Sequence, residues 1–140
     1  MRMQENSHPN LKVPRILPFL CDAVLAMNGQ QCEGIFRVPA DSEKTTELRL
    51  KLEKGIYDLG DLNDPNVPAS LLKFWLRDLA DPLIPADKYQ TCIDCGEEIA
   101  KARNILQSLP IVNREVVIYV IKFLQVSNCN VISVSPSYSY

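Results

Sequence analysis

Residues 32–41, Cys-Glu-Gly-Ile-Phe-Arg-Val-Pro-Ala-Asp, interrupt a chain that otherwise repeats apolar residues at helical spacing, and they set one arginine between two expected helices. Gly34 permits backbone angles closed to other residues, while Pro39 fixes its own φ and pushes Val38 away from helical angles. The segment therefore reads as a shaped loop that presents Arg37 reproducibly. A guanidinium offers five donors in a rigid, permanently charged fork suited to phosphate oxygens, and Ile35, Phe36 and Val38 can anchor the loop to a core. Chemistry directed at phosphate is one reading of Arg37; a surface charge or a structural bridge is the other.

Composition narrows the function classes. A chain of 140 residues with 46% hydrophobic and 23% charged residues fits one globular domain. Fifteen basic against seventeen acidic residues give no overall positive field for nucleic acid or an anionic membrane. The N-terminal ten residues lack the apolar centre of a signal peptide, and the apolar run 116–121 is too short to span a bilayer, so a cytoplasmic location is expected. Five cysteines, at 21, 32, 92, 95 and 129, are odd in number and fall mostly in helical patterns, so reduced thiols are expected. Cys92 and Cys95 form a CxxC, but a zinc site needs about four ligands and the chain has one histidine, His8, and no second close cysteine pair. No metal site is expected. The same single histidine leaves no Ser/His/Asp or Cys/His set, and no glycine loop ending in GK[ST] is present, which makes a stand-alone hydrolase the weakest reading.

Taken in order, 1–12 is a polar lead-in. Pro14 to Pro18 open a helix in which Ile16, Leu20, Ala23, Val24 and Met27 share a face, and Asn28-Gly29 ends it. Asp41 or Ser42 can cap a helix to about 54, with Thr45, Leu48 and Leu52 inward, a mixed-charge outer face expected to be solvated, and Gly55 as its stop. After a turn-rich acidic loop, Pro68 starts a helix over 69–79. Leu72, Trp75, Leu76 and Leu79 lie on one side of it, and Lys73 and Arg77 stand one turn apart on another. Like charges at that spacing mildly repel, so a negative partner is a reason for keeping both; a solvated pair is the alternative. Two further helices are expected over 86–95 and 97–107, the second with Ile99, Ala102, Leu106 and Leu109 inward. Asn113 can cap a strongly apolar helix over 114–126, expected at the centre of a bundle.

Two blocks in order, EGIFRVPAD from Glu33 and VPASLLKFWLRDLADPLIP from Val67, resemble the RhoGAP family, GTPase-activating domains for Rho-type small GTPases, with the Vilse/CrossGAP type nearest. That resemblance implies an all-α bundle of about six helices. It implies that Arg37 is an arginine finger acting in trans, that Lys73 lies at the GTPase-binding face, and that Arg77 helps hold the finger loop with Gly34 and Phe36. The GTP and Mg²⁺ belong to the partner GTPase, so no cofactor of the chain's own is implied. The likeness covers 13–126. Beyond it, 127–140 is Ser/Tyr-rich and lacks the family's following helices and their asparagine segment, so a C-terminally truncated domain with a divergent, irregular tail is expected, together with self-association through an exposed apolar helix face. The expected function is activation of a Rho/Rac/Cdc42-type GTPase; the alternative is a non-catalytic GTPase- or protein-binding module.

Overall fold

Proline in a first turn removes no helical hydrogen bond, because the first four N–H groups of a helix have no partner within it. Pro14 and Pro18 sit in that setting at the start of α1, Ile16–Ala26, in the computed structural model, which describes residues 12–128. Asn28 ends the helix in a left-handed conformation (φ +55°) and leads into a 3₁₀ turn over Gly29–Gln31. Leu17, Leu20, Cys21, Ala23 and Val24 are the buried face of α1, whereas Ile16 is only half-buried.

The second helix, α2, covers Ser42–Glu53. Asp41 caps it as its sequence position suggests, the carboxylate Oδ1 accepting from the Glu43 and Lys44 amides at 2.9 and 3.0 Å. Leu48 and Leu52 are buried, and Gly55 follows at φ +77°. Helix α3, Asn66–Arg77, starts ahead of the expected residue 69 because Asp64 supplies an earlier cap. Its Oδ1 accepts from the Asn66 amide at 2.9 Å, so Pro65 and Pro68 both fall where no amide is needed. Leu72, Trp75 and Leu79 are buried as their spacing requires, joined by Val67, Ala69 and Leu71.

A 3₁₀ turn over Ala86–Lys88 runs into α4, Tyr89–Cys95, and α5 covers Ile99–Ser108. Helix α6, Ile111–Asn128, begins directly after Pro110 and continues past the expected end at residue 126; Ser127 is buried, its hydroxyl donating to the Phe123 carbonyl at 3.1 Å. Asn113 is therefore not a cap. It lies inside α6, buried, with its amide donating to the Leu83 carbonyl at 2.9 Å, and so ties α6 to the loop after α3.

The described residues form six α-helices and two 3₁₀ turns, with no strand among them. Helix α1 packs on both α3 and α6, α2 packs on α3, and α4 packs on α5. The core gathers Leu17, Leu20 and Val24 of α1 with Val67, Leu72 and Trp75 of α3 and Val116 and Phe123 of α6. Each such side chain stabilises by about 1.5–3 kcal/mol on burial.

Two expectations about apolar faces need correcting. Ile99 of α5 is 76% exposed and Ala102 is exposed as well, and only Leu109 of that stripe is buried. Helix α6 is not enclosed at the centre of a bundle but keeps the exposed apolar face also expected of it: Val116 and Phe123 face the core, while Ile121 and Leu124 are 48% and 41% exposed. Ile99, Ala102 and Ile121 share a cause, because with Ile84, Leu106 and Val117 they line a groove that no described element covers. No helix of the described residues is long and apolar enough to cross a membrane.

Candidate functional site

The loop between the 3₁₀ turn and α2 is closed by its own backbone. The Ile35 amide donates to the Cys32 carbonyl at 3.2 Å, and the Arg37 and Val38 amides both reach the Gly34 carbonyl, at 2.8 and 2.9 Å. Two residues in this turn have left-handed angles, Gly34 at φ +76° and Phe36 at φ +70°. The glycine has a clear reason, since a Cβ at position 34 would stand 2.9 Å from Val38 Cγ2 in a conformation that L residues rarely adopt. The phenylalanine does not, and such an angle costs a residue with a Cβ about 1–2 kcal/mol.

Two contacts hold Phe36 there. Its ring meets Phe123 of α6 edge to face, with centroids 5.9 Å apart and planes at 88°, a pairing that contributes about 0.5–1.5 kcal/mol beyond burial. Its carbonyl accepts a hydrogen bond from Lys73 Nζ of α3 at 2.6 Å, across 37 positions of sequence. Ile35 and Phe36 pack against the core, as anchoring requires. Val38 does not anchor; it is 44% exposed.

Arg37, the next residue, is exposed, and among the described residues no carboxylate pairs with it. It opens onto a groove of about 960 Å³ between the loop, α2 and α3. Arg37, Arg49, Lys73 and Arg77 all line that groove, and no carboxylate is among its lining residues. Two of these cations are paired with carboxylates at the groove's edge, Arg49 with Glu53 and Arg77 with Asp78, and with Arg37 and Lys73 the lining stays net positive and attracts anions.

The resemblance implies that Arg77 helps hold the loop, but of the two α3 cations the one bonded to it is Lys73. Arg77 is neither buried nor bonded to the loop. Its side chain is 68% exposed, Nε donates to Asp78 Oδ1 at 3.0 Å, and its guanidinium lies 4.8 Å over the Phe74 ring. The side chain that reaches the loop is Lys73. One turn of helix separates the two, and the amino group sits where α3 passes beneath Phe36, so docking of α3 against the loop determines which cation makes the bond.

The CxxC lies away from this groove on α4. Cys95 is buried, with its thiol 3.5 Å from the Glu98 carbonyl, and among the described residues no cluster of His, Cys, Asp or Glu could hold a metal ion. Cys21 of α1 is buried as well, and burial, with the nearby Asp22 carboxylate adding to it, pushes its thiol up to about 12. Burial likewise raises the Tyr119 phenol above its ordinary value, with Asp22 and Cys21 contributing. Neither is a nucleophile near neutral pH.

Three features were not legible in the sequence. The left-handed angle at Phe36 has no sequence marker, because positive φ is ordinarily signalled by Gly or Asn. Phe123 lies 87 positions away and looked like core alone. Arg49 was one charge among several on α2; its alternation with acidic residues is the pattern of a solvated helix, and no periodicity distinguishes it.

The described residues are helical apart from their loops and turns, and they offer an arginine from a preset turn beside a cation-lined groove. The particular family follows from sequence comparison: the chain matches the RhoGAP domain over residues 14–132, and it belongs to that family. The match extends past residue 126, where the likeness was expected to end. Among curated proteins, the chain is 41% identical over 126 residues to GTPase activating protein homolog 2 of Dictyostelium discoideum, covering 90% of this chain and 14% of that protein. It is 32% identical over 122 residues to Rho GTPase-activating protein 24 of Homo sapiens (79% of this chain, 16% of that protein). With Rho GTPase-activating protein 22 of Mus musculus it shares 30% identity over 136 residues, covering 88% of this chain and 19% of that protein. The chain thus spans only a small part of the length of the relatives it matches.

Proposed function

We propose that the chain is a GTPase-activating module that stimulates GTP hydrolysis by a Rho/Rac/Cdc42-type small GTPase, with Arg37 supplied in trans as an arginine finger. The observation that carries this is the Arg37 turn itself, preset by left-handed Gly34 and Phe36, latched by Lys73, and opening on a groove lined by cations. Family membership supports the partner class. GTP, Mg²⁺ and the attacking water come with the GTPase, and the chain hydrolyses nothing alone. The proposed site of action is the cytoplasm.

The physical logic is electrostatic. Charge shifts onto the phosphoryl oxygens as the bond to the leaving group breaks, and a guanidinium already held in position neutralises it without reorganising at that moment. An arginine supplied this way is worth roughly 10³–10⁵ in rate, or about 4–7 kcal/mol of barrier. In this assignment Gly34 and Phe36 shape the turn, Lys73 holds it, and Arg77 forms part of the groove wall against which the GTPase docks.

A second reading, a binding module without catalytic stimulation, draws on the uncovered apolar groove of α5 and α6, with Ile99 and Ile121 exposed. That surface suits association regardless of the finger. Single-turnover GTP hydrolysis by Rho-, Rac- and Cdc42-type GTPases, with and without saturating chain, separates the two. Acceleration of 10³-fold or more is expected for at least one GTPase. Binding to the GTP-loaded GTPase with no acceleration favours the second reading.

A further inference from the structure

The charges on α2 do not form one solvated face. Lys51 pairs with Glu47 at 2.9 Å, and the nearby Asp58 and Asp61 also favour its charged form, so that cation is surrounded by acid. Arg49 is placed differently. It lines the finger groove, and it also lines the neighbouring cleft of about 330 Å³ that contains Leu52, Trp75 and Asp78, so it stands on the rim between the two. Its ion pair with Glu53 at 3.0 Å is an exposed i,i+4 contact, with the two side chains 61% and 46% exposed. A pair of that kind contributes little and is readily exchanged for another carboxylate.

Thr45 and Thr46, one turn and less toward the N-terminus, line the same wall of the groove. Their hydroxyl protons are used within the helix, donated to the Asp41 and Ser42 carbonyls, so what they offer outward is acceptor oxygen and methyl surface. The wall therefore presents one exchangeable guanidinium above a small, nearly neutral ledge. Opposite it stand Arg37, Lys73 and Arg77, with no carboxylate among the lining residues.

We infer that the α2 wall is part of the partner footprint: Arg49 releases Glu53 and takes an acidic residue on the surface of the GTPase, steering and tightening docking without touching the nucleotide. This rests on the proposed activating function and extends its contact surface from the finger loop and α3 onto α2. Charge pairing at a rim acts mainly on association rate and salt dependence, whereas the finger acts on the chemical step. The two contributions are therefore separable in kinetics. Arg49 is a docking residue, and Arg37 alone contacts the reacting phosphate.

The test uses the chain with the GTPase it stimulates most, measuring stimulated hydrolysis over a range of GTPase concentrations and direct binding to the same GTPase loaded with a non-hydrolysable GTP analogue. Arg49→Gln is expected to raise KM and Kd about 3–10-fold with kcat within about twofold, and to flatten the decline of affinity with salt. Arg49→Glu is expected to raise both by about tenfold or more through like-charge repulsion. Glu53→Gln, which breaks the same ion pair but leaves the cation, is expected to leave Kd unchanged or lower it. Equal Kd and salt dependence in Arg49→Gln and the parent overturn the docking role while leaving the activating function intact. A rise in Kd for Glu53→Gln matching that of Arg49→Gln also overturns it, because the pair would then act by shaping α2. A parent chain that neither stimulates nor binds any of the three GTPases overturns the proposed function and this inference together.

Discussion

Replacing Lys73 with Met keeps the aliphatic stem and removes the amino group that donates to the Phe36 carbonyl at 2.6 Å. A hydrogen bond from a charged donor contributes about 1.5–3 kcal/mol net. Lys73 is exposed, so water can take its place on the carbonyl, and about 1 kcal/mol is the appropriate figure here. The bond opposes a left-handed Phe36 whose angle costs about 1–2 kcal/mol, so its loss shifts the loop toward conformations that aim Arg37 elsewhere. A change of about 1 kcal/mol is roughly fivefold in the ratio of preset to other loop conformations, so stimulated kcat should fall measurably, by up to about that factor. Binding of the GTP-analogue-loaded GTPase should change by less than about twofold, and Tm should fall by no more than a few degrees. Single-turnover hydrolysis at saturating chain, calorimetric binding and a thermal melt read the three quantities. Arg77→Ala is the internal comparison, since its exposed contact with Asp78 leaves the turn untouched and Tm should move little. If Lys73→Met kept its full stimulated kcat and instead weakened GTPase binding tenfold, the latch would be wrong and the lysine would serve the partner directly.

Two more outcomes follow from the packing. Asn113→Leu leaves the Leu83 carbonyl without its donor and removes the tie between α6 and the 81–85 loop, so a loss of about 1–3 kcal/mol and a Tm several degrees lower are expected in a denaturation series; a melt matching the parent's would show that the contact is dispensable. Cys21 has its folded pKa raised from 9.0 to about 12, so the neutral thiol stabilises the fold fully below pH 9. That contribution is lost as pH rises from 9 through 12, because the unfolded chain releases its proton first. Stability should therefore decline over that window, and Cys21→Ala should decline less steeply from its own starting point.

The helices were legible because their signals are local. Pro14, Asp41 and Gly55 act within a turn of where they stand, and α1 and α2 begin and end close to where those residues place them. In the sequence Pro68 outweighs the quieter Asp64 cap, so α3 starts ahead of its expected place, and Asn113 reads as a cap because Asn favours caps where tertiary contacts leave no local sign. Burial of α5 failed for a related reason. A stripe of Ile99, Ala102 and Leu106 at helical spacing specifies a face, but not whether another element covers it. In the site, Gly34, Pro39 and Arg37 announced a shaped loop from sequence, because glycine and proline restrict the backbone directly. What secures the loop lies at Lys73 and Phe123, and contacts across such separations leave no trace in local pattern.

The central claim is that Arg37 acts on the transition state from a preset turn. Its most direct measurement is the maximal rate of GTP hydrolysis by the stimulated GTPase with Arg37→Ala in place of the parent chain, at saturating chain and with binding measured alongside. The account predicts a rate lower by about 10³-fold or more, approaching that of the GTPase alone, with affinity for the GTP-analogue-loaded GTPase within about threefold of the parent. A stimulated rate within about threefold of the parent would contradict it.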